Sequence, residues 1–169
     1  VHHDNYDMWN SKYQPRWNAM ATGPNKDMVG IWAAAARKRG LRFGVSEHLS
    51  NSYDWLAVAH LSDKTGPMAG VPYDGTNPAF ADLYHDYTGQ PANFAANAKA
   101  MGRDAPTSWK LQYFRRIKDL VDQHQPDLLY TDGGIPFDEY GYSTVAEVYN
   151  VSAAKHNGKV ESVYFSKQA

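Results

Sequence analysis

Three times along this chain a helix-like stretch leads through a short loop into a short apolar run, and that alternation limits the fold more than any other feature. The first helix is expected from about Lys26 to Arg39, with Met28, Ile31, Trp32 and Ala35 as its apolar stripe and Gly40 as its stop. Leu41-Arg42-Phe43-Gly44-Val45 then reads as a strand. The second is expected from about Ser108 to His124, capped by Thr107, striped by Tyr113, Ile117, Leu120 and Val121, and ended by Pro126 before the strand Asp127 to Thr131. The third is expected from about Val145 to His156, where Thr144 and Glu147 have capping-box spacing and Asn157-Gly158 supplies the stop; Lys159 to Phe165 follows as a strand.

Strands that alternate with helices pair in parallel and need helices to cover them. Two architectures satisfy this: an open doubly wound sheet and a closed eight-stranded (β/α)8 TIM barrel. No Gly-rich phosphate fingerprint follows any strand, which favours the barrel. About four strands cannot close it, so the reading is an α/β chain, 1–169, holding the middle units of a larger barrel domain truncated at both ends. A long stretch rich in Gly, Pro, Asn and Tyr, 46–106, and a second loop, Gly133 to Tyr142, follow the carboxyl ends of strands. Barrels place their active sites there.

Composition excludes some partners. The net charge of -1 gives no general electrostatic case for nucleic acid or an anionic membrane, and no apolar run is long enough to span a bilayer. With no Cys, disulfides and thiolate metal sites are absent. Five Trp and 12 Tyr are a generous aromatic supply, of use in cores and against sugar faces alike.

Asp132 stands out among groups that could do chemistry. It ends an apolar strand and precedes Gly133-Gly134, so a rigid element holds it while the glycines let a ligand come close. The competing reading is an Asp-Gly turn that finishes the strand. Glu47 and His48 follow the first strand at a corresponding location, and His2-His3-Asp4 lies before Tyr6 and Trp9. Adjacent His residues in a strand point to opposite faces, which disfavours joint metal ligation; a site of His2, His3, His48 and Asp132 holding a metal is the rival chemistry. Trp55, Trp109 and the loop tyrosines could line subsites or pack a satellite core. His60, His85, His124 and His156 have no partner at informative spacing.

These blocks resemble, in order, the retaining α-L-fucosidases of glycoside hydrolase family 29. His2-His3-Asp4-Asn5-Tyr6 is similar to the family's His-His-Asp/Glu-Gly-Phe stretch, and Lys26 to Gly30 with Ala36 to Gly40 resembles the helix that follows. Leu41 to Val45 is similar to the next barrel strand, and Pro126 to Gly133 looks like the nucleophile strand. Two departures are Asn5-Tyr6 in place of Gly-Phe, and Ser46-Glu47-His48 where the family often has Tyr-His or Tyr-Tyr.

The resemblance implies an exo-acting hydrolase of terminal α-linked L-fucose on a fucosylated glycan, working with retention and without a cofactor. It implies Asp132 as the nucleophile that forms a covalent fucosyl-enzyme, and His2 and His3 as donors to fucose hydroxyls. His48 is preferred over Glu47 as a further sugar contact, and Trp55 is a subsite candidate. Such an enzyme needs a second carboxyl about 5–5.5 Å from the first as acid/base. The family carries it beyond the strand that ends near Phe165, so the expectation is that it lies outside this chain, which alone would be inactive; Glu139 is the local stand-in, with Glu47 and Glu161 behind it. The family also implies a secreted, periplasmic or lysosome-like location. A non-catalytic carbohydrate-binding protein is the remaining alternative, and nothing in the residues speaks to oligomeric state.

Overall fold

The computed structural model describes residues 4–56, 59–60, 62–85 and 105–167. Helix α1 (Met28–Lys38) leads to strand β1 (Gly44–Glu47), a 3-10 turn at Leu49–Asn51, and a single helical turn, α2 (Ser52–Trp55). Two further 3-10 turns follow at Asp74–Thr76 and Pro78–Phe80. Helix α3 (Thr107–His124), strand β2 (Leu128–Thr131), helix α4 (Glu139–Lys155) and strand β3 (Val163–Ser166) complete the order.

The strands form one parallel sheet in sequential order, β1-β2-β3. The architecture is therefore α/β, with three described strands rather than about four and no complete barrel. The register is gapless. Val45, Leu129 and Tyr164 make one row, and Glu47, Thr131 and Ser166 make another on the same face. That face is covered. Val45 and Leu129 are buried with Tyr113, Ile117, Leu120 and Val121 of α3 and Val148 of α4 in one apolar cluster. Burial of four such side chains along one stripe is what holds α3 on the sheet, since apolar area removed from water is the main favourable term.

Several boundaries differ from the sequence reading. β1 starts three residues later than expected and runs on through Ser46 and Glu47, because these two pair with Tyr130 and Thr131. The 46–106 stretch is therefore not a loop from its start, and it contains short helical turns. β3 likewise begins at Val163. α4 begins at Glu139, so Thr144 lies inside the helix and donates to the Tyr140 carbonyl instead of capping. Glu147 pairs with Lys118 across to α3. α3 begins at Thr107, and its N-cap position is Pro106.

The face of α1 is also different. Val29 and Ala33 are the buried residues, whereas Ile31 and Trp32 are exposed. The stripe Met28-Ile31-Trp32-Ala35 has helical spacing too, but tertiary packing selects the neighbouring row. Asp27 caps this helix by accepting from Gly30 N at 2.7 Å.

The segment after the His pair is tied to α3 by a buried polar hub. The Arg116 guanidinium donates to both carboxylate oxygens of Asp7 and to Asn5 Oδ1, and all three side chains are sealed from solvent. Asn5 in turn donates to the Asp82 carbonyl at 3.1 Å. One guanidinium thus joins the chain start, α3 and the long connection. Burial raises the Asp7 carboxyl above its ordinary value, against the attraction of Arg116.

Candidate active site

Side chains alternate along a strand, so the second face of the sheet is fixed by the same register. Gly44, Leu128 and Val163 form its first row, and Ser46, Tyr130 and Phe165 its second. Leu128, Val163 and Phe165 are exposed there, and Tyr130 stacks on Phe165 with ring centroids 5.7 Å apart. The ladder continues one residue past the strands, with Asp132 N donating to Glu47 O and Lys167 N donating to Thr131 O. The third row of this open face is His48, Asp132 and Lys167.

Asp132 sits between two bases. Its Oδ2 is 3.3 Å from His48 Nε2, and its Oδ1 is 3.1 Å from Lys167 Nζ. The Tyr130 hydroxyl, two residues earlier on the same face, donates to Oδ1 at 3.3 Å. The Asp132 side chain keeps 36% of its surface open to solvent. The hydrogen bond and charge of Lys167, with His48 and Tyr130 adding to them, hold its carboxyl below the usual range. Asp132 is thus an ionised, accessible carboxylate at the carboxyl end of a parallel strand. His48 Nε2 also lies 3.0 Å from Asn51 Nδ2, which fixes the imidazole beside Asp132.

The turn after Asp132 is built to stay tight. Gly133 has φ +147, and a Cβ on Gly141 would lie 2.1 Å from the Pro136 carbonyl oxygen, so the first turn of α4 packs directly on the loop backbone. Phe137 meets Tyr113 edge-to-face at 5.2 Å and pins the loop to α3.

Glu47 requires a correction. It is the last residue of β1, not a loop residue beyond it, and it faces the helices. Only 1% of it is exposed. Its Oε2 accepts from Leu49 N at 2.9 Å and its Oε1 from the Tyr113 hydroxyl at 3.2 Å, with Thr131 as a further hydrogen-bond partner. Burial raises its carboxyl above the usual range. It offers no surface to a sugar. His48, one residue on, is the member of the pair that shares the face of Asp132.

Glu139 opens α4 instead of lying in the loop, and it is exposed at the helix N-terminus, where a carboxylate meets the positive end of the peptide dipoles. Glu161 lies before β3 at the opposite end of the sheet and pairs with Arg42 at 3.0 Å. The candidates His2 and His3, and the side chain of Trp55, lie outside the described residues. Trp109 is buried against His85, which stacks on Tyr53 at 4.6 Å, and it belongs to the main apolar cluster rather than to a satellite core. His60 Nε2 is 3.0 Å from the His85 carbonyl and His124 Nε2 is 3.5 Å from Asp27, so these partners come from folding, not from spacing. Among the described residues no three His, Asp or Glu side chains assemble as a metal cluster.

Lys167 was not singled out from the sequence. The signal was available, because it is the residue immediately after β3, just as Asp132 is after β2. The apolar run ends at Phe165, whereas β3 extends through Ser166 and so brings Lys167 level with Asp132.

The sequence model of the family described as Alpha-L-fucosidase matches residues 1–168. This chain belongs to the alpha-L-fucosidase family. It is 29% identical over 157 residues to the Tissue alpha-L-fucosidase of Bos taurus, and 28% identical over 159 residues to the Plasma alpha-L-fucosidase of Homo sapiens. Each alignment covers 91% of this chain, but the chain spans only about a quarter of those relatives, 25% and 26% of their lengths. Among solved structures, the Thermotoga maritima alpha-fucosidase in complex with fucose superposes with a TM-score of 0.59 at 21% identity, over 96% of this chain and 29% of that one. That likeness concerns the fold, and it extends over nearly all of the chain. No described helix is long and apolar enough to cross a membrane.

Proposed function

We propose that this fucosidase-family chain carries the nucleophile of a retaining glycoside hydrolase that removes terminal α-linked L-fucose from a fucosylated glycan. The observation that carries the reading is Asp132, an accessible carboxylate held ionised between His48 and Lys167 at the end of β2. The family match supports the substrate class. In the first step a carboxylate oxygen of Asp132 bonds to the anomeric carbon as the bond to the leaving oxygen breaks, and an acid protonates that oxygen. In the second, water attacks the same carbon, the bond from that carbon to the Asp132 oxygen breaks and frees the carboxylate, and the acid/base residue takes the water's proton.

Sequential parallel pairing and a sheet face lined by Leu128, Val163 and Phe165 support an arrangement in which this face is the interior of a (β/α)8 barrel. Within that reading His48 is a sugar contact, and His2 and His3 hold fucose hydroxyls. Glu47 faces away and Glu161 lies at the far end, so the acid/base is Glu139 or a carboxyl supplied from elsewhere in the protein. A location outside the cytosol belongs to the same reading, with the plasma relative in its support.

The test is Asp132→Ala in the intact protein, assayed on an aryl α-L-fucoside. Turnover is expected to fall at least about a thousandfold with the melting temperature retained. Activity within tenfold of wild type would remove Asp132 from the chemistry.

A further inference from the structure

Asp132 has two oxygens with different surroundings, and the difference is built by register. Lys167 follows Ser166, the partner of Thr131, so its side chain reaches the carboxylate from the β3 side. Its ammonium is 3.1 Å from Oδ1, and the Tyr130 hydroxyl donates to that same oxygen at 3.3 Å. Tyr130 is itself held by stacking on Phe165, in the row below. Oδ2 meets only the edge of His48 at 3.3 Å among the described contacts.

We infer that Lys167 is a positioning residue for the nucleophile: with Tyr130 it anchors Oδ1 of Asp132, and so presents Oδ2, on the His48 side, to the substrate. The inference rests on Asp132 being the nucleophile. A carboxylate that rotates freely about its last torsion spends part of its time with neither oxygen aimed at the reacting carbon, and anchoring one oxygen removes that loss. The ammonium carries a second effect. An opposite charge at this distance favours the ionised carboxyl, so the nucleophile stays competent at lower pH. The titratable groups facing Asp132 among the described residues are His48 from the end of β1, Tyr130 on β2 and Lys167 from the end of β3. The Lys167 side chain is 61% exposed, and its removal leaves no buried partner orphaned.

The experiment compares Lys167→Met, Lys167→Gln and Lys167→Arg in the intact protein, with Tyr130→Phe and Asp132→Ala beside them, reading kcat/KM against pH on an aryl α-L-fucoside. Loss of the ammonium is expected to move the acid limb of the profile upward by about one pH unit in both neutral variants. Lys167→Arg keeps the charge and restores the limb, and Tyr130→Phe gives a smaller shift in the same direction. An unmoved acid limb in Lys167→Met and Lys167→Gln, with both variants melting as wild type does, would overturn the inference. A limb displaced equally in Lys167→Arg would do the same. If Asp132→Ala itself retains activity, the proposed nucleophile fails, and that outcome is separate from a failure of Lys167 alone.

Discussion

Two carboxylates stand one row apart at the same end of the same sheet, and they have opposite fates. Glu47 points into the layer between sheet and helices, where Tyr113, Thr131 and the Leu49 backbone N–H take up its oxygens and burial pushes its carboxyl up. Asp132 points to the uncovered face, where Lys167 and His48 flank it and its carboxyl is held down. The Tyr164 hydroxyl donates to Thr131 Oγ1 at 2.9 Å, extending the Glu47 side into a buried polar chain. Residue type and strand-end position do not separate the two acids. The face each occupies does, because one face is dry and fully bonded while the other is wet and flanked by bases.

The comparison breaks at its strongest point if the two acids can exchange roles. Asp132→Ala should abolish turnover and leave stability within about 0.5 kcal/mol, since an exposed side chain is lost. Glu47→Ala should do the reverse in origin, costing roughly 3 kcal/mol by orphaning the buried donors of Leu49, Tyr113 and Thr131, with any lost activity tracking the unfolded fraction. Chemical denaturation and steady-state assay of the two variants side by side check this. Equal destabilisation by both would show that the faces differ less than the geometry indicates.

A smaller effect probes the turn that sets the aim of Asp132. Gly141→Ala places a methyl group into the Pro136 carbonyl, and a cost of about 2 kcal/mol follows from overpacking against backbone. A denaturation midpoint unchanged from wild type would show that the loop yields freely. The smallest effect is a pH slope. With the folded carboxyl of Glu47 raised, wild-type stability falls as pH rises from the unfolded carboxylate value through the folded one. Glu47→Gln has no such group, so its stability relative to wild type should improve as pH rises from the acid range toward neutrality. A flat difference would place the carboxylate in a better solvated site.

Much of this was legible in the chain. The order of helices and strands, the buried stripe of α3 and the position of Asp132 all follow from period, caps and punctuation. Ile31 and Trp32 show where that reading stops. Two rows of α1 have helical spacing, and only the neighbours decide which is buried. Thr144 and Glu147 show it again, since capping-box spacing inside a helix has no capping to do when the first turn lies earlier. Residue type does not separate Glu47 from His48 as the side chain beside Asp132, and Lys167 becomes legible only when β3 extends through Ser166.

By itself, then, the sequence determined that Asp132 ends a strand between glycines and an apolar run, because alternation, turn residues and local propensity act over a few neighbours. That Glu47 belongs to β1 and faces the helices, while His48 falls on the other face, came only with the pairing of β1 to β2. Which of the two faces is covered, and which side chains from β1 and β3 flank Asp132, only the tertiary structure decided. Those contacts join residues 35 and more positions apart, and they depend on strand register and on where α3 and α4 pack, which no local pattern encodes.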